Sequence, residues 1–236
     1  FTFQQELNAE VSGDLTITAY DASLILQYGV GLIGEFPAES GQQTIWATGE
    51  FNTEDDVIEN NTNVSIPLYL ENGTNIYSFE MQIQYNENDL TFIGVESGAN
   101  IEGFTILSNE ENGNIKIVGA SAYPDGQDGV FLSINFSVNE IFAENYTDVS
   151  ILEIQLNEEI PETEIDNTRL YNLEYYAGDL NLDEQINVLD VVIEVGIILG
   201  EVEPTAIQLQ TGDISGDGQI DVLDIVILVD QILAEQ

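Results

Sequence analysis

Residues 178–190 read GDLNLDEQINVLD, with oxygen-bearing side chains at Asp179, Asn181, Asp183, Gln185, Asn187 and Asp190 before an apolar run. The pattern returns thirty-four residues later as DISGDGQIDVLD, residues 213–224. Counted as a twelve-residue loop, positions 1, 3, 5, 9 and 12 are Asp179, Asn181, Asp183, Asn187 and Asp190 in the first copy. In the second they are Asp213, Ser215, Asp217, Asp221 and Asp224. Position 7 is Gln185 or Gln219, and position 8 is Ile186 or Ile220.

Such a loop suits calcium, a hard cation that takes six to eight oxygens at about 2.3–2.6 Å. Side chains at 1, 3 and 5 converge when the loop curls, position 7 offers its carbonyl, and position 12 closes the cage from the exit helix. Magnesium fits less well, because it prefers octahedral geometry and keeps its waters. The competing reading is a solvated acidic loop. A single D-x-N-x-D means little in so acidic a chain, but two complete copies, each before an amphipathic helix, favour the ion. Position 6 is Gly218 in the second loop and Glu184 in the first, where a sharp turn favours glycine. The first loop is therefore expected to be the strained one. A degenerate third copy begins at Glu10, with Ser12, Asp14, Thr16, Thr18 and Asp21 at positions 3, 5, 7, 9 and 12. It is either a third calcium loop or a relic kept for its helix.

Apolar residues after both loops recur at helical spacing: Val188, Val191, Val192, Val195 and Leu199, then Val222, Ile225, Val226, Val229 and Leu233. A further helical patch spans residues 21–32, preceded by FTFQQELNAEV, which reads as a short strand. The middle of the chain alternates with period two. One face carries Val64, Ile66, Leu68 and Leu70; another carries Tyr77, Phe79, Met81, Ile83 and Tyr85; a third carries Val130, Leu132, Ile134, Phe136 and Val138. Alternation of this kind buries one face of an antiparallel sheet. Turn signals lie at Asn72-Gly73, Asn112-Gly113, Pro124-Asp125-Gly126 and Asp128-Gly129. The expected architecture is mainly β with α: an antiparallel sandwich flanked by helical calcium-loop modules. Its boundaries are an N-terminal strand and single repeat at 1–40, a sandwich at 43–156, an acidic linker at 157–174 and a paired-loop module at 175–236.

The two loops, of form D-x-[NS]-x-D-x-x-I-[ND]-V-L-D plus an apolar helix, resemble type I dockerin repeats. The sandwich is similar to a cohesin of jelly-roll type in VSIPLYLENG, SFEMQIQYNENDLTFIGVESG and VFLSINFSV, and VSGDLTITAYDASLILQY looks like one dockerin repeat standing alone. The resemblance implies calcium-dependent docking, with dockerins seated on the flat sheet face of cohesins. Many dockerins carry polar recognition residues just before the last ligand. Here those positions are Val188-Leu189 and Val222-Leu223, which implies either a more apolar binding mode or a place in the core. A lone repeat leaves Ile17, Leu24, Leu26 and Tyr28 to be covered by the chain's own sandwich or by a neighbour.

The 236 residues include 2 Lys+Arg against 44 Asp+Glu, a formal charge of -42. Phosphate binding needs a basic footprint, so nucleic acid is excluded as a partner. Cations, neutral glycans and other proteins fit. Self-repulsion at this charge is expected to make folding dependent on divalent cations. No His or Cys is present, which removes the common general base and the His- or Cys-based nucleophile pairs. A catalytic carboxylate pair cannot be singled out among so many acids, and no enzyme is expected. No run is long enough to insert in a membrane. The chain begins at Phe1; a removed signal sequence is the simplest expectation and would place the protein outside the cell, a trimmed chain being the plain alternative. Sequons at Asn60, Asn63, Asn72, Asn135 and Asn145 fit a glycoprotein. The expected function is an extracellular, calcium-stabilised structural protein that assembles head to tail with copies of itself into a filament or matrix. The alternatives are a cellulosome-type scaffold or adaptor, or a glycan-binding adhesin using Trp46 and tyrosine-rich faces.

Overall fold

A computed structural model of the chain describes residues 9–40, 47–59, 62–139, 146–158, 167–172 and 176–234. The strand expected at FTFQQEL, Trp46, and the sequons at Asn60 and Asn145 lie outside the described residues. Among the described residues, ten strands make the sandwich: β1 (Thr48–Asn52), β2 (Asp56–Ile58), β3 (Asn63–Thr74), β4 (Ile76–Gln84), β5 (Leu90–Ser97), β6 (Thr105–Glu111), β7 (Asn114–Asp125), β8 (Gly129–Val138), β9 (Tyr146–Leu156) and β10 (Thr168–Asn172). One sheet has the order β1-β3-β8-β5 and the other β2-β10-β9-β4-β7-β6. The pairs are antiparallel except β10 with β2, which is parallel.

The period-two faces meet between the sheets. Val64, Ile66, Leu68 and Leu70 face Phe79, Met81 and Ile83, together with Leu132, Ile134, Phe136 and Val138 of β8, in one buried cluster. Two bulges adjust the expected alternation. One, between Ile76 and Ser78, puts Ile76 in the core and turns Tyr77 to the N-terminal segment. The other, between Leu68 and Tyr69 opposite β8, accompanies burial of the neighbours Phe131 and Leu132 alike. Asn112-Gly113 makes the expected β6–β7 turn, with φ of 53° and 73°. Asn72-Gly73 does not end a strand. It sits inside β3, where Asn72 at φ 54° donates its N–H to the Asp128 carboxylate at 2.7 Å.

The segment expected as an acidic linker contains β10. Its burial alternates, with Thr168, Leu170 and Asn172 inward. Arg169 donates to Asp148 through Nε at 2.8 Å and lies 3.8 Å from the Tyr146 ring centroid. Five residues in an acidic run carry too little apolar signal to read as a strand, and this one is held by its neighbour β9.

Four helices complete the described chain: α1 (Ala19–Gly29), α2 (Val188–Ile198), α3 (Ala206–Gly212) and α4 (Val222–Ala234), with a short helical turn at Pro37–Ser40. α1 lies across β4 and β7, α2 packs on α4, and α3 meets β2. The own-sandwich cover for the lone repeat is the one observed for Leu24, which joins Val11 and Tyr20 in a buried cluster against Tyr77, Ile33 and Phe36. Ile17, Leu26 and Tyr28 stay exposed.

Phe79 is the pivot of the sandwich. It contacts Phe131 edge-on at 4.8 Å between centroids and Phe104 at 5.9 Å. A Cβ at Gly119 would stand 2.2 Å from its ring, so only glycine fits opposite. Phe79→Ala leaves a cavity and should destabilise the sandwich by about 3–5 kcal/mol, read as a lowered urea midpoint; an unchanged midpoint would contradict this packing.

Candidate functional site

The three loops share one hydrogen-bond scheme. At position 12, Asp190 accepts the N–H groups of Leu180 at 3.0 Å, Asn181 at 3.3 Å and Asn187 at 2.9 Å. Asp21 accepts those of Val11 at 2.8 Å, Ser12 at 2.9 Å and Thr18 at 2.8 Å. Asp224 accepts those of Ser215 at 2.9 Å and Asp221 at 2.8 Å. The position-5 carboxylate accepts the position-7 N–H each time: Gln185 to Asp183 at 3.0 Å, Gln219 to Asp217 at 3.0 Å, Thr16 to Asp14 at 2.7 Å. Position 9 caps the helix by accepting the N–H two residues on, in Asn187, Asp221 and Thr18. Such caps satisfy donors that the first helical turn leaves open.

Position 1 separates the loops. Asp179 accepts the N–H groups of Asp183 at 3.2 Å and Glu184 at 2.8 Å, and Asp213 those of Asp217 at 3.0 Å and Gly218 at 2.7 Å. Glu10, one methylene longer, turns instead to the Ser12 hydroxyl and the Gly13 N–H. Positions 4 and 6 adopt positive φ throughout. They are Gly13 at 99° and Leu15 at 75°, Leu182 at 57° and Glu184 at 63°, and Gly216 at 72° and Gly218 at 85°. Left-handed backbone costs a residue with a Cβ roughly 1–2 kcal/mol, so the second loop is the relaxed one.

The chemistry of the donor set fits a hard divalent cation in the two C-terminal loops. Asp179, Asp190 and Asp224 are fully buried. Burial pushes the Asp179 carboxyl up, and the charges of Asp190 and Asp183 add to that against N–H donation from Glu184 and Asp183. A cation would relieve this repulsion. Burial also raises Asp224, but the N–H groups of Asp221 and Ser215 outweigh it and leave the carboxyl below its ordinary range. Among the described residues, no three acidic side chains form a ready-made metal cluster. The loops alternate carboxylates with Asn181, Ser215, Asn187 and main-chain carbonyls, so their donors are more varied than carboxylates alone.

The helices do not bury the stripe that the periodicity suggested. Val188, Leu189, Val192 and Leu199 are exposed, as are their repeat equivalents Val222, Leu223, Val226 and Leu233. Val192 is 63% and Val226 52% exposed. Val188-Leu189 and Val222-Leu223 are therefore surface, not core. The buried helix positions are Asp190 and Glu194 of α2 and Asp224 and Leu228 of α4. Spacing identifies an apolar face without showing what covers it. Glu194 escaped the sequence reading, although alignment of the repeats sets it against Leu228. Both its carboxylate oxygens are buried without a hydrogen-bond partner. Burial, with the charge of Asp224 adding, pushes it up to about 7.

α1 chooses the opposite face. Its buried Ala19, Tyr20 and Ser23 match exposed Val188, Leu189 and Val192 in repeat register. Its Ile25, 45% exposed, matches buried Glu194 and Leu228.

The cohesin domain family matches residues 53–169, and the dockerin type I domain family matches residues 177–233. Among solved structures the chain is similar to the third cohesin ScaC in complex with the ScaB dockerin from Acetivibrio cellulolyticus, at 19% identity and TM-score 0.47, covering 53% of this chain and 99% of that one. It is also similar to the non-cellulosomal cohesin of the hyperthermophilic archaeon Archaeoglobus fulgidus, at 16% identity and TM-score 0.46, covering 53% and 91%. A third is the seventh ScaB type I cohesin from Pseudobacteroides cellulosolvens, at 18% identity and TM-score 0.45, covering 53% and 92%. Comparison with curated proteins gives no match.

Two substitutions probe the paired-loop module. Glu184→Gly releases the left-handed strain and should raise the melting temperature in calcium slightly, the entropy cost of glycine offsetting part of the gain; a clear fall would show that Glu184 is not strained. Glu194→Leu should stabilise in a pH-dependent way. A carboxyl whose pKa is about 7 in the fold, against 4.5 ordinarily, supports the fold below pH 4.5 and loses that support as pH rises through 7. The charged group then costs about 3 kcal/mol. The gain in melting temperature from Glu194→Leu, at fixed excess calcium, should be larger at pH 8 than at pH 5. Equal gains would refute the buried-charge explanation.

Proposed function

We propose that this chain, which carries a cohesin domain followed by a type I dockerin domain, is an extracellular, calcium-stabilised docking protein that assembles head to tail with copies of itself. Cohesin and dockerin domains are non-catalytic modules that bind protein partners as pairs, and type I dockerins bind calcium. Such modules are typical of secreted and cell-surface cellulosome proteins. Among the described residues, no helix is long and apolar enough to cross a membrane.

The observation that carries this reading is the doubled apolar stripe on α2 and α4, exposed at the same repeat positions on both helices. A contiguous exposed apolar surface of this kind marks an interaction site. Its apolar character at Val188-Leu189 and Val222-Leu223 fits an apolar docking mode. The calcium ligands in this reading are Asp179, Asn181, Asp183, Asn187 and Asp190 with the Gln185 carbonyl, and Asp213, Ser215, Asp217, Asp221 and Asp224 with the Gln219 carbonyl. The N-terminal loop, with Glu10 turned aside, is a weaker third site. Bound calcium supplies positive charge to buried carboxylates and so holds each loop against its exit helix. In a chain of charge -42, it also lessens repulsion between copies.

Sedimentation velocity in calcium and in EGTA tests the proposal. Association should require calcium and should be lost in Val192→Asp/Val226→Asp, whose calcium-dependent melt stays intact because both positions are exposed. Association that survives EGTA or the double substitution would overturn this docking face. Asp190→Ala and Asp224→Ala should each lower the melting temperature in calcium; no effect in either would remove the ion from the assigned loops.

A further inference from the structure

We propose that the N-terminal loop and α1 form a docking element held in cis, closing the outer face of the β4–β7 sheet to the dockerin-type helices of a second copy. This rests on the docking reading above and adds its regulation. The argument starts from the reversed helix faces. In α2 and α4, repeat positions 10, 11 and 14 are exposed and apolar, at Val188, Leu189 and Val192 and at Val222, Leu223 and Val226. In α1 the same positions, Ala19, Tyr20 and Ser23, are buried, and this helix lies on β4 and β7. The molecule thus shows, within itself, how a loop–helix repeat seats this face on this sheet. The free stripe of α2 and α4 is the same face without its sheet.

Specific contacts hold α1 in place. The Ala19 N–H donates to Glu80 Oε1 at 2.9 Å, and Glu80 Oε2 pairs with Lys116 Nζ at 3.1 Å across the β4–β7 ladder. The Thr18 hydroxyl donates to Glu158 at 3.2 Å. Tyr20 and Leu24 bury themselves beside Tyr77. The seat is incomplete on its β6 side. A groove of about 360 Å³ runs between Ala22 and Ile25 of α1 and Leu107, Val118 and Ala120 of the sheet. Leu107 is left exposed beside it. The apolar sheet surface therefore continues past the helix that occupies it, as expected of a face able to receive a larger, two-helix module. The occupant is the α2–α4 pair of another copy, because it presents the α1 seating face twice.

Three forms of the full chain test this by sedimentation in calcium. Tyr20→Asp/Leu24→Asp releases α1. Ala19→Cys/Glu80→Cys, bridged by a short bis-maleimide, fixes it; the chain has no native cysteine to compete. Glu80→Ala removes one acceptor and should fall between wild type and the released form. The released form should associate at a concentration at least about tenfold lower than wild type, since a closed fraction reduces apparent affinity in proportion. The tethered form should stay monomeric. If all forms associate alike, α1 does not close the face and the docking reading stands. If none associates, released form included, docking between copies falls together with the plug. A sandwich melting transition shared by all forms shows that the variants leave the sandwich folded.

Discussion

The buried carboxylate at position 12 sets the local structure of each loop. Asp21, Asp190 and Asp224 each stand at the end of a turning loop and at the start of a helix, and each gathers the N–H groups of residues nine or ten positions and three positions back. The interaction is electrostatic and directional. It satisfies amides that a curled loop leaves unpaired, and it ties the start of the helix to the loop. It also concentrates negative charge where solvent is excluded, which an unpaired group resists. A cation among the loop oxygens would resolve that conflict and would make folding of the module and binding of the ion one equilibrium.

The surroundings of each helix decide which of its faces is covered. With a second repeat nearby, α2 and α4 pack on each other, positions 12 and 16 are buried, and positions 10, 11 and 14 go to solvent. Standing alone, α1 turns positions 10, 11 and 14 to the sheet and leaves position 16 uncovered. Glu194 at a position filled by Leu228 in the sister repeat weakens the pair interface. Its two oxygens meet no partner, so the module gives up stability there.

Much of this was legible in the residues. The oxygen spacing of GDLNLDEQINVLD and its copy located the loops, because curled loops need their donors at set positions. Period-two alternation located the strands from Val64 to Val138. What escaped detection had weak or ambiguous local signals. β10 is short and follows an acidic run, and its place comes from pairing with β9 and β2. Tyr77 left the core through a bulge that no alternation pattern contains. The stripe from Val188 to Leu199 was legible as helical but its exposure was not, since a helical period carries no information about which partner is present. Leu182 at position 4 adopts left-handed backbone as Glu184 does, and only the repeat geometry reveals it.

Amide hydrogen exchange in calcium and in EGTA tests the coupling of ion, aspartate and helix most directly. The amides of Leu180, Asn181, Asn187, Ser215 and Asp221, donors to Asp190 and Asp224, should exchange slowly in calcium. They should lose that protection on chelation, while amides in the β4–β7 ladder keep theirs. Equal protection of these five amides in both buffers would contradict a calcium-held module.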